Sequence, residues 1–321
     1  MKAIVYTTYG DPEVLQLTDV EQPTPKDDEV LVKIMATSVN SWDWDLLRGK
    51  PYLYRLLFGL FKPKFKTLGA DIAGIVEAVG KNVQQFKPGD EVMGDISDRW
   101  GGFAEYVCAA ATSLVLKPST MSFEEAAATP QAAVLAWQAL HDKLQLNKGD
   151  KVLINGAGGG VGTFAVQLAK QLGAEVTAVD SAEKLPMLQS LGADHVIDYR
   201  KNDFTKNGLQ YHLIIDVVAH RSVSSYKRSL LPNGRCAIVG GTIPALLGTA
   251  LLGSFSNKKC SLVIHKANKE LESINKLIVA KKIIPVIDTI YTLQQTAAAI
   301  LHVGEGRAKG KVVVRIAEPG S

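Results

Sequence analysis

The sequence of 321 residues predicts an α/β protein in which a doubly wound parallel sheet is inserted into a β-rich domain. Three observations lead to this prediction. Short apolar strands separated by turn signals fill the first part of the chain, a glycine-rich loop occupies residues 156–162, and strands alternate with helices after that loop. The chain length also favours two domains over one.

The first part of the chain has the texture of β structure. Apolar or alternating runs occur at residues 2–6, 29–40, 72–80 and 104–110, and turn signals rich in Gly, Pro and Asp interrupt them. At Ser122 the texture changes, because Glu124 and Glu125 follow as the acidic first turn of a helix. The sequence then predicts a helix over residues 132–144.

Strand and helix patterns alternate from Asp150 onward. The sequence predicts six strands, at residues 151–155, 175–180, 195–199, 211–219, 234–241 and 260–266. Two helices, over residues 162–173 and 183–192, connect the first three strands. β texture returns from about Ile284 and is expected to rejoin the first domain. We therefore assign residues 1–122 and 285–321 to a β-rich domain and residues 123–284 to the parallel-sheet domain.

Composition and charge exclude several classes of protein. The net charge is only +4 and the basic residues are scattered, so we predict no nucleic-acid partner. Cys108, Cys236 and Cys260 are far apart in sequence, which predicts neither a disulfide framework nor paired metal ligands and fits a reducing compartment. The longest apolar stretch, Pro244–Phe255, is too short for a transmembrane segment, and the N-terminus lacks a signal core. We expect a cytoplasmic protein.

The glycine-rich loop lies between an apolar strand and a helix, as the cradle of a dinucleotide diphosphate requires. Its residues are Gly156, Ala157, Gly158, Gly159, Gly160, Val161 and Gly162. Asp180 ends the next strand, where an acid normally binds the ribose 2′-OH and favours NAD(H). Ser181, Lys184 and Arg200 lie near it in sequence and are suited to a 2′-phosphate. These residues alone leave both nicotinamide cofactors open.

Seven stretches, in order along essentially the whole chain, resemble the zinc-free medium-chain dehydrogenases/reductases of the quinone oxidoreductase (zeta-crystallin-like) family. They are SVNSWDWDLLRG (38–49), LGADIAGIVEAVG (68–80), FKPGDEVMG (86–94), GGFAEYV (101–107), NGAGGGVGTFAVQLAK (155–170), LGADHVIDYR (191–200) and AKGKVVV (308–314). The resemblance implies a GroES-like catalytic domain built from both termini and an inserted Rossmann domain. It also implies a cofactor in the cleft between them and a homodimer or tetramer.

The same resemblance predicts that no metal is bound. Similar zinc alcohol dehydrogenases have Gly-His-Glu where this chain has Gly69-Ala70-Asp71, and the cysteine ligand expected near Asn40 is missing. Zinc needs three ligands held together, and these positions do not supply them. We interpret Asp71 as a hydrogen-bonded structural carboxylate, with a catalytic acid as the alternative.

For the site, the resemblance implies that Asn40 and Asp43 line the nicotinamide pocket. Asn40 would orient the carboxamide or polarise the substrate carbonyl, and Asp43 would anchor its loop, although both residues are also common in turns. Lys184 and Tyr199 fall where NADPH-dependent relatives hold the 2′-phosphate. We therefore favour NADPH, with NADH as the alternative. Gly240 and Gly241 would let the nicotinamide ring approach the backbone.

The predicted activity is hydride transfer from NADPH to a small hydrophobic quinone or α,β-unsaturated carbonyl without a metal. An activated acceptor is already electrophilic, so orientation supplies much of the acceleration. The alternatives are an enoyl-thioester reductase and a non-catalytic NADPH-binding protein. The apolar run Pro51–Phe65 remains open as a substrate lid, a subunit contact or an edge that touches lipid.

Overall fold

The computed structural model describes residues 1–142 and 146–317 and divides them into two compact units. Unit 1 comprises Met1–Gln131, Ala267–Val279 and Pro285–Ser321, and unit 2 comprises Ala132–Lys266 and Ala280–Ile284. The last residues of the helix predicted over 132–144, namely 143 and 144, lie outside the described residues, as do residues 318–321 of the β-rich domain.

The N-terminal segment of unit 1 contains seven strands and three short α-helices in the described residues. The strands are β1 (Lys2–Val5), β2 (Gln16–Asp19), β3 (Glu29–Val39), β4 (Asp71–Val79), β5 (Glu91–Asp95), β6 (Tyr106–Ala110) and β7 (Val115–Leu116). The helices are α1 (Ser41–Arg48), α2 (Leu53–Phe58) and α3 (Phe123–Ala127). The predicted strands correspond to β1, β3, β4 and β6.

Unit 2 follows with alternating elements. They are α4 (Pro130–His141), β8 (Lys151–Asn155), α5 (Gly160–Gln171), β9 (Glu175–Asp180), α6 (Leu185–Ser190), β10 (His195–Asp198), β11 (Tyr211–Asp216), α7 (Val223–Arg228), β12 (Leu230–Ile238), α8 (Ile243–Leu252) and β13 (Lys259–Leu262). The chain then returns to unit 1 with α9 (Leu271–Val279), β14 (Ile287–Thr292), α10 (Thr296–Gly304) and β15 (Lys311–Arg315). No helix in the described ranges is both long and apolar enough to cross a membrane.

The larger sheet of unit 1 is built around β3. Within the described residues its order is β14-β15-β3-β4-β5-β7, and β6 also pairs with β3. Strand β3 is nearly continuously buried because β4 covers one of its edges, while β6 and β15 share the other. Apolar side chains from these strands form the core, including Val32, Ile34, Ile72, Val92 and Val107.

Two segments without a predicted helix contain helices. Residues 41–48 form α1 because Asn40 caps its start in an extended conformation and Gly49, at φ +56°, ends it in the left-handed region. The apolar run Pro51–Phe65 contains α2. Tyr54 and Phe58, one turn apart on α2, pack against a buried cluster with Leu46, Leu68 and Trp100.

The sheet of unit 2 is parallel throughout its described pairings, with the order β10-β9-β8-β11-β12-β13. The order reverses between β8 and β11, which is where doubly wound sheets bind ligands at the carboxyl ends of their strands. The glycine-rich loop leaves β8 at this edge. The doubly wound parallel sheet is thus confirmed.

The compact units divide the chain differently from the boundaries expected at 122/123 and 284/285. Residues 123–131 group with unit 1, where Arg315 donates to Glu124 of α3 at 2.7 Å. Residues 267–279 do so as well, since the side chain of Asn268 makes two hydrogen bonds with the backbone of Asp95, at 2.7 and 2.8 Å. These contacts join residues that are distant in sequence, so no local sequence pattern indicates them.

Candidate functional sites

A buried polar cluster forms in unit 1 where three strands lie side by side. Ser38 near the end of β3 pairs with Asp71 at the start of β4, and the next residue, Val39, pairs with Val312 of β15. This register brings Asn40, which follows β3, and Lys311, which begins β15, close to Asp71. All four polar side chains are more than nine-tenths buried.

The Asp71 carboxylate is the acceptor at the centre of this cluster. Its Oδ2 accepts hydrogen bonds from Ser38 Oγ at 3.0 Å, Asn40 Nδ2 at 3.0 Å and Lys311 Nζ at 3.2 Å. Its Oδ1 accepts from the backbone N–H of Gln131 at 2.9 Å. Four donors make Asp71 a hydrogen-bonded carboxylate, and its structural rather than catalytic role stays a prediction.

Opposing influences act on the pKa of Asp71. Burial raises this pKa above its usual value, while Lys311, Asn40 and the Gln131 N–H stabilise the charged form and lower it; nearby Asp95 raises it further. This buried ion pair is costly to break, because removing one partner leaves the other charged, shielded from water and without a counter-ion. Lys311 is therefore the partner on which the ionised Asp71 depends.

The Asn40 carboxamide is held from both ends. Lys311 Nζ donates to Asn40 Oδ1 at 2.5 Å, and Asn40 Nδ2 donates one of its two N–H groups to Asp71. This leaves a second N–H on Nδ2 with its direction fixed by the two charged neighbours. A cation on the amide oxygen also polarises the amide, which makes its N–H a stronger donor.

Asp43 has a different role in the geometry. It is fully buried, its Oδ2 accepts from the Asn40 backbone N–H at 2.7 Å, and its Oδ1 accepts from the Gly69 N–H at 2.9 Å. It therefore ties the start of α1 to the segment before β4. Burial raises the pKa of Asp43 to about 7, although both backbone donors and the Lys311 charge oppose the shift.

The side chains around Asp71 do not provide a set of zinc ligands. Ala70 is buried and offers no ligand atom. In the part of the chain that the structure describes, no group of three or more His, Cys, Asp or Glu side chains is placed to hold a metal ion. The oxygens of Asp71 are engaged by an ammonium, an amide, a hydroxyl and a backbone N–H, which is a hydrogen-bonded rather than a metal-ligating arrangement.

In unit 2 the glycine-rich loop turns directly into α5. Gly156 adopts φ +76° after β8, and Gly159 precedes the helix in an extended conformation. A Cβ on Gly162 would lie 2.3 Å from the oxygen of Gly156, so the helix packs against the loop only with glycine here. A Cβ on Gly159 would meet no atom nearer than 3.7 Å. The loop therefore combines close packing on one side with open backbone on the other, which fits a diphosphate.

The Asp180 carboxylate at the end of β9 binds the glycine loop itself. Its Oδ2 accepts from the Gly158 N–H at 2.7 Å, and its Oδ1 accepts from the Ser181 N–H at 2.8 Å. Lys184 Nζ lies 3.8 Å from Oδ1. The charge of Asp180 is thus compensated by two backbone donors and one ammonium, which reduces its repulsion of a neighbouring phosphate.

The residues predicted to bind a 2′-phosphate lie on both sides of Asp180. The aliphatic stem of Lys184 covers the loop, since a Cβ on Gly158 would lie 2.5 Å from Lys184 Cδ. The backbone N–H of Tyr199 donates to the backbone oxygen of Asp180 at 3.2 Å, while the Tyr199 side chain is half exposed. Arg200 pairs with Glu183 at 2.9 Å. The structure brings Lys184, Tyr199 and Asp180 together and engages Arg200 with a carboxylate.

Gly240 and Gly241 follow β12, and a close approach within unit 2 requires glycine at position 241. The Ala219 N–H donates to the Gly240 oxygen at 2.9 Å, and a Cβ on Gly241 would lie 2.1 Å from the Ala219 oxygen. The packing of two backbones explains at least Gly241. An approach of the nicotinamide ring remains a prediction.

Sequence reasoning missed several residues that hold these sites in place. Lys311 is one of these residues; it begins an apolar strand, and a lysine is rarely buried unless it has a partner. Asp216 ends β11 and accepts hydrogen bonds from Asn155 and Tyr226, both at 2.8 Å. Because Asn155 is the last residue of β8, this contact stabilises the chain where β8 leads into the glycine loop. Gln131 is buried, and its Nε2 has no partner in the described residues.

The comparisons with known proteins agree with this arrangement. Residues 26–119 match the model of the alcohol dehydrogenase GroES-like domain, and residues 191–314 match the model described as zinc-binding dehydrogenase. The chain is 34% identical to 2-methylene-furan-3-one reductase of Solanum lycopersicum, over 98% of this chain and 79% of that protein. It is 31% identical to the chloroplastic NADPH-dependent alkenal/one oxidoreductase of Arabidopsis thaliana, with the same coverages.

A solved structure supports the fold over the whole length. The quinone oxidoreductase from Coxiella burnetii superposes with a TM-score of 0.91 at 30% identity, covering 99% of both chains. The GroES-like domain and the Rossmann domain expected from the sequence are therefore confirmed.

Proposed function

We propose that this chain, which belongs to the medium-chain dehydrogenase/reductase family and within it to the quinone oxidoreductase type, reduces quinones or α,β-unsaturated carbonyls with NADPH and without a metal. The observation that carries the proposal is the Asn40 carboxamide, which Lys311 and Asp71 hold with one N–H to spare. The names of its relatives point to the same acceptors, since two of them are an alkenal/one oxidoreductase and a quinone oxidoreductase.

Asn40 is the group that we expect to contact the acceptor. Its remaining N–H would donate to the carbonyl oxygen and stabilise the negative charge that develops there. NADPH, when bound, supplies the hydride, which carries its electron pair to the electrophilic carbon, and solvent supplies the proton that completes the reduction. Asp43 acts as a positioning residue through the start of α1, because both of its oxygens are engaged by backbone N–H groups.

The preference for NADPH over NADH rests on the surroundings of Asp180. Two backbone donors and Lys184 already compensate its charge. Lys184 would bind a 2′-phosphate while it stays next to Asp180, and Tyr199 would contact the same phosphate, with Ser181 close by. Glycine residues 156, 158, 159, 160 and 162 with Val161 would hold the diphosphate, and Gly240 and Gly241 would face the nicotinamide ring.

Steady-state oxidation of NADPH tests the reaction. We expect turnover with 9,10-phenanthrenequinone or with an alkenal, unchanged by a chelator, and a fall of kcat of about tenfold or more in Asn40→Ala with the Kd for NADPH retained. Tight NADPH binding without turnover would favour the non-catalytic alternative. Turnover confined to enoyl thioesters would favour the enoyl-thioester reductase, and zinc-dependent oxidation of an alcohol would refute the metal-free proposal.

Cofactor choice has its own test. Lys184→Gln is expected to weaken NADPH binding by about tenfold and to leave NADH binding within about twofold, because the substitution removes a positive charge next to the 2′-phosphate and leaves Asp180 with only its two backbone donors, whereas a 2′-OH carries no charge. An equal loss for both cofactors would show that Lys184 supports the loop rather than the phosphate.

Compartment and assembly are also proposals. Three free thiols support a reducing compartment such as the cytoplasm, although the Arabidopsis relative is named as chloroplastic. The family resemblance supports a homodimer or tetramer, which light scattering of the purified protein would test.

A further inference from the structure

The segment formed by residues 50–66, here called the basic apolar segment, combines exposed apolar side chains with an unbalanced positive charge. Between Leu46 and Ala70 the sequence contains no Asp or Glu. The same stretch contains six basic residues: Arg48, Lys50, Arg55, Lys62, Lys64 and Lys66. Such a long stretch with one sign of charge stands out in a chain whose net charge is only +4.

The apolar side chains of this segment fall into two groups. Tyr54, Phe58 and Phe65 pack against the buried cluster of unit 1 and hold the segment in place. The remaining large apolar side chains point to solvent: Tyr52, Leu53, Leu56, Leu57, Leu60 and Phe61. Leu57 is 70% exposed and Phe61 is 87% exposed, so unit 1 does not bury them. Exposed apolar residues at this density mark an interaction surface.

The cations also divide into those that contact a carboxylate or a backbone oxygen and those that form no ion pair in the described part of the chain, among which Lys64 lies over the Phe65 ring. Arg48 pairs with Asp11 at 2.9 Å, and Arg55 donates to the Gly49 oxygen at 3.1 Å while its guanidinium covers the Tyr9 ring. Lys50, Lys62, Lys64 and Lys66 are exposed and form no ion pair with a carboxylate among the described residues. Four exposed lysines therefore lie in the same short segment as the exposed leucines and Phe61.

Helix α8 of unit 2 provides an internal comparison. It exposes a similar apolar group, including Leu251 at 70% and the following Phe255 at 75%. Residues 243–257 contain no charged side chain, although Lys258 and Lys259 follow directly and Lys227 donates to the backbone oxygens of Leu252 and Phe255 at 3.1 Å. Apolar exposure is therefore shared by both regions, and they differ because the basic apolar segment contains its lysines within the exposed apolar run whereas α8 has them only outside it.

We propose that the basic apolar segment docks unit 1 on the surface of an anionic lipid bilayer. Leucine and phenylalanine side chains would enter the boundary between headgroups and acyl chains, and the lysines would contact the anionic headgroups. A second copy of this chain is a poorer occupant, because a two-fold contact through the segment would place like charges opposite one another. The inference does not depend on the proposed reaction.

Flotation of the whole protein with lipid vesicles tests this surface. We expect binding to vesicles that contain phosphatidylglycerol, weak binding to phosphatidylcholine alone, and release at high salt because screening weakens the lysine contacts. Lys62→Gln with Lys64→Gln should weaken binding by about 25-fold, from about fivefold for each lysine at the surface. Leu56→Ser, Leu57→Ser and Phe61→Ser together should weaken binding by at least about tenfold.

The matched control is Leu247→Ser, Leu251→Ser and Phe255→Ser on and after α8, which should bind vesicles as the unchanged protein does. Circular dichroism of each variant verifies that it is folded. Absence of binding to anionic vesicles, equal binding to both lipids, or an equal loss in the α8 control would overturn the proposal. A native dimer that only the Leu56, Leu57 and Phe61 variant converts to monomers would instead assign the segment to self-association and overturn it as well.

Discussion

Asp71 and Asp180 are both buried carboxylates at strand ends, yet they are held in opposite ways. The partners of Asp180 are backbone N–H groups and a lysine no more than 22 residues away in sequence. The partners of Asp71 are mainly side chains, and the cation among them, Lys311, is 240 residues away. The first environment is determined by a local motif, whereas the second exists only because three strands of a sheet are aligned.

The two regions also differ in how they tolerate change. Backbone donors remain when a neighbouring side chain is replaced, so the Asp180 site loses little from a single substitution. The Asp71 site depends on side chains, and each replacement leaves a buried group without its partner. Four substitutions, in order of decreasing effect, test this comparison.

Lys311→Met should produce the largest loss of stability, about 3–5 kcal/mol, because it leaves Asp71 buried without its cation. Urea denaturation measures the change. The exposed Lys309→Met is the matched control and should shift the free energy of unfolding by less than about 0.5 kcal/mol. Adding Asp71→Asn to Lys311→Met should recover part of the loss. A loss below about 1 kcal/mol in Lys311→Met would show that the pair does not stabilise unit 1.

Asp43→Asn tests the buried carboxylate next to this cluster through pH. The pKa of Asp43 is about 7 in the folded protein and has an ordinary value of 3.8, so between these values the folded state holds a proton that the unfolded state lacks. The free energy of unfolding should therefore fall as pH rises through this window. Subtracting the pH profile of Asp43→Asn should reveal a contribution of a few kcal/mol. Parallel profiles for the two proteins would contradict the shifted pKa.

Gly162→Ala tests the glycine-rich loop, the region whose environment is determined by a local motif. The added Cβ would lie 2.3 Å from the Gly156 oxygen, and we expect a loss of about 1–3 kcal/mol in stability together with impaired NADPH binding. Gly159→Ala is the control for packing, since its Cβ meets nothing within 3.4 Å. That control should keep its thermal unfolding midpoint but bind NADPH more weakly, because the methyl group faces the open side of the loop. Equal stability of the two variants would refute the packing argument.

Ser122→Ala should have the smallest effect, about 1 kcal/mol, because it removes the cap of a short helix. Ser122 Oγ accepts from the Glu125 N–H at 3.1 Å, and the Glu125 carboxylate accepts from the Ser122 N–H at 2.9 Å. Ser122→Asp keeps a capping oxygen and should retain the stability of the unchanged protein. Thermal unfolding of both variants decides whether a local motif stabilises α3 as its sequence indicates.

Much of unit 2 could be predicted because its signals are local. Strands β8, β9, β10, β11 and β12 lie within the predicted runs or overlap them, since buried parallel strands have continuous apolar sequences bounded by turn residues. Strands β2 and β5 of unit 1 were not predicted. The residues of β2 are all exposed, and the short strand β5 begins within FKPGDEV, which reads as a turn signal.

The sequence by itself determined the fold class, the family resemblance and the glycine loop, because periodicity, turn residues and glycine spacing act between near neighbours along the chain. Only the tertiary structure decided that Lys311 meets Asp71 and Asn40, that Asp180 binds its own loop, and that the leucines of α2 face solvent. The physical reason is that burial and electrostatic energy depend on which strands lie side by side, and strand register joins residues whose separation in sequence carries no signal.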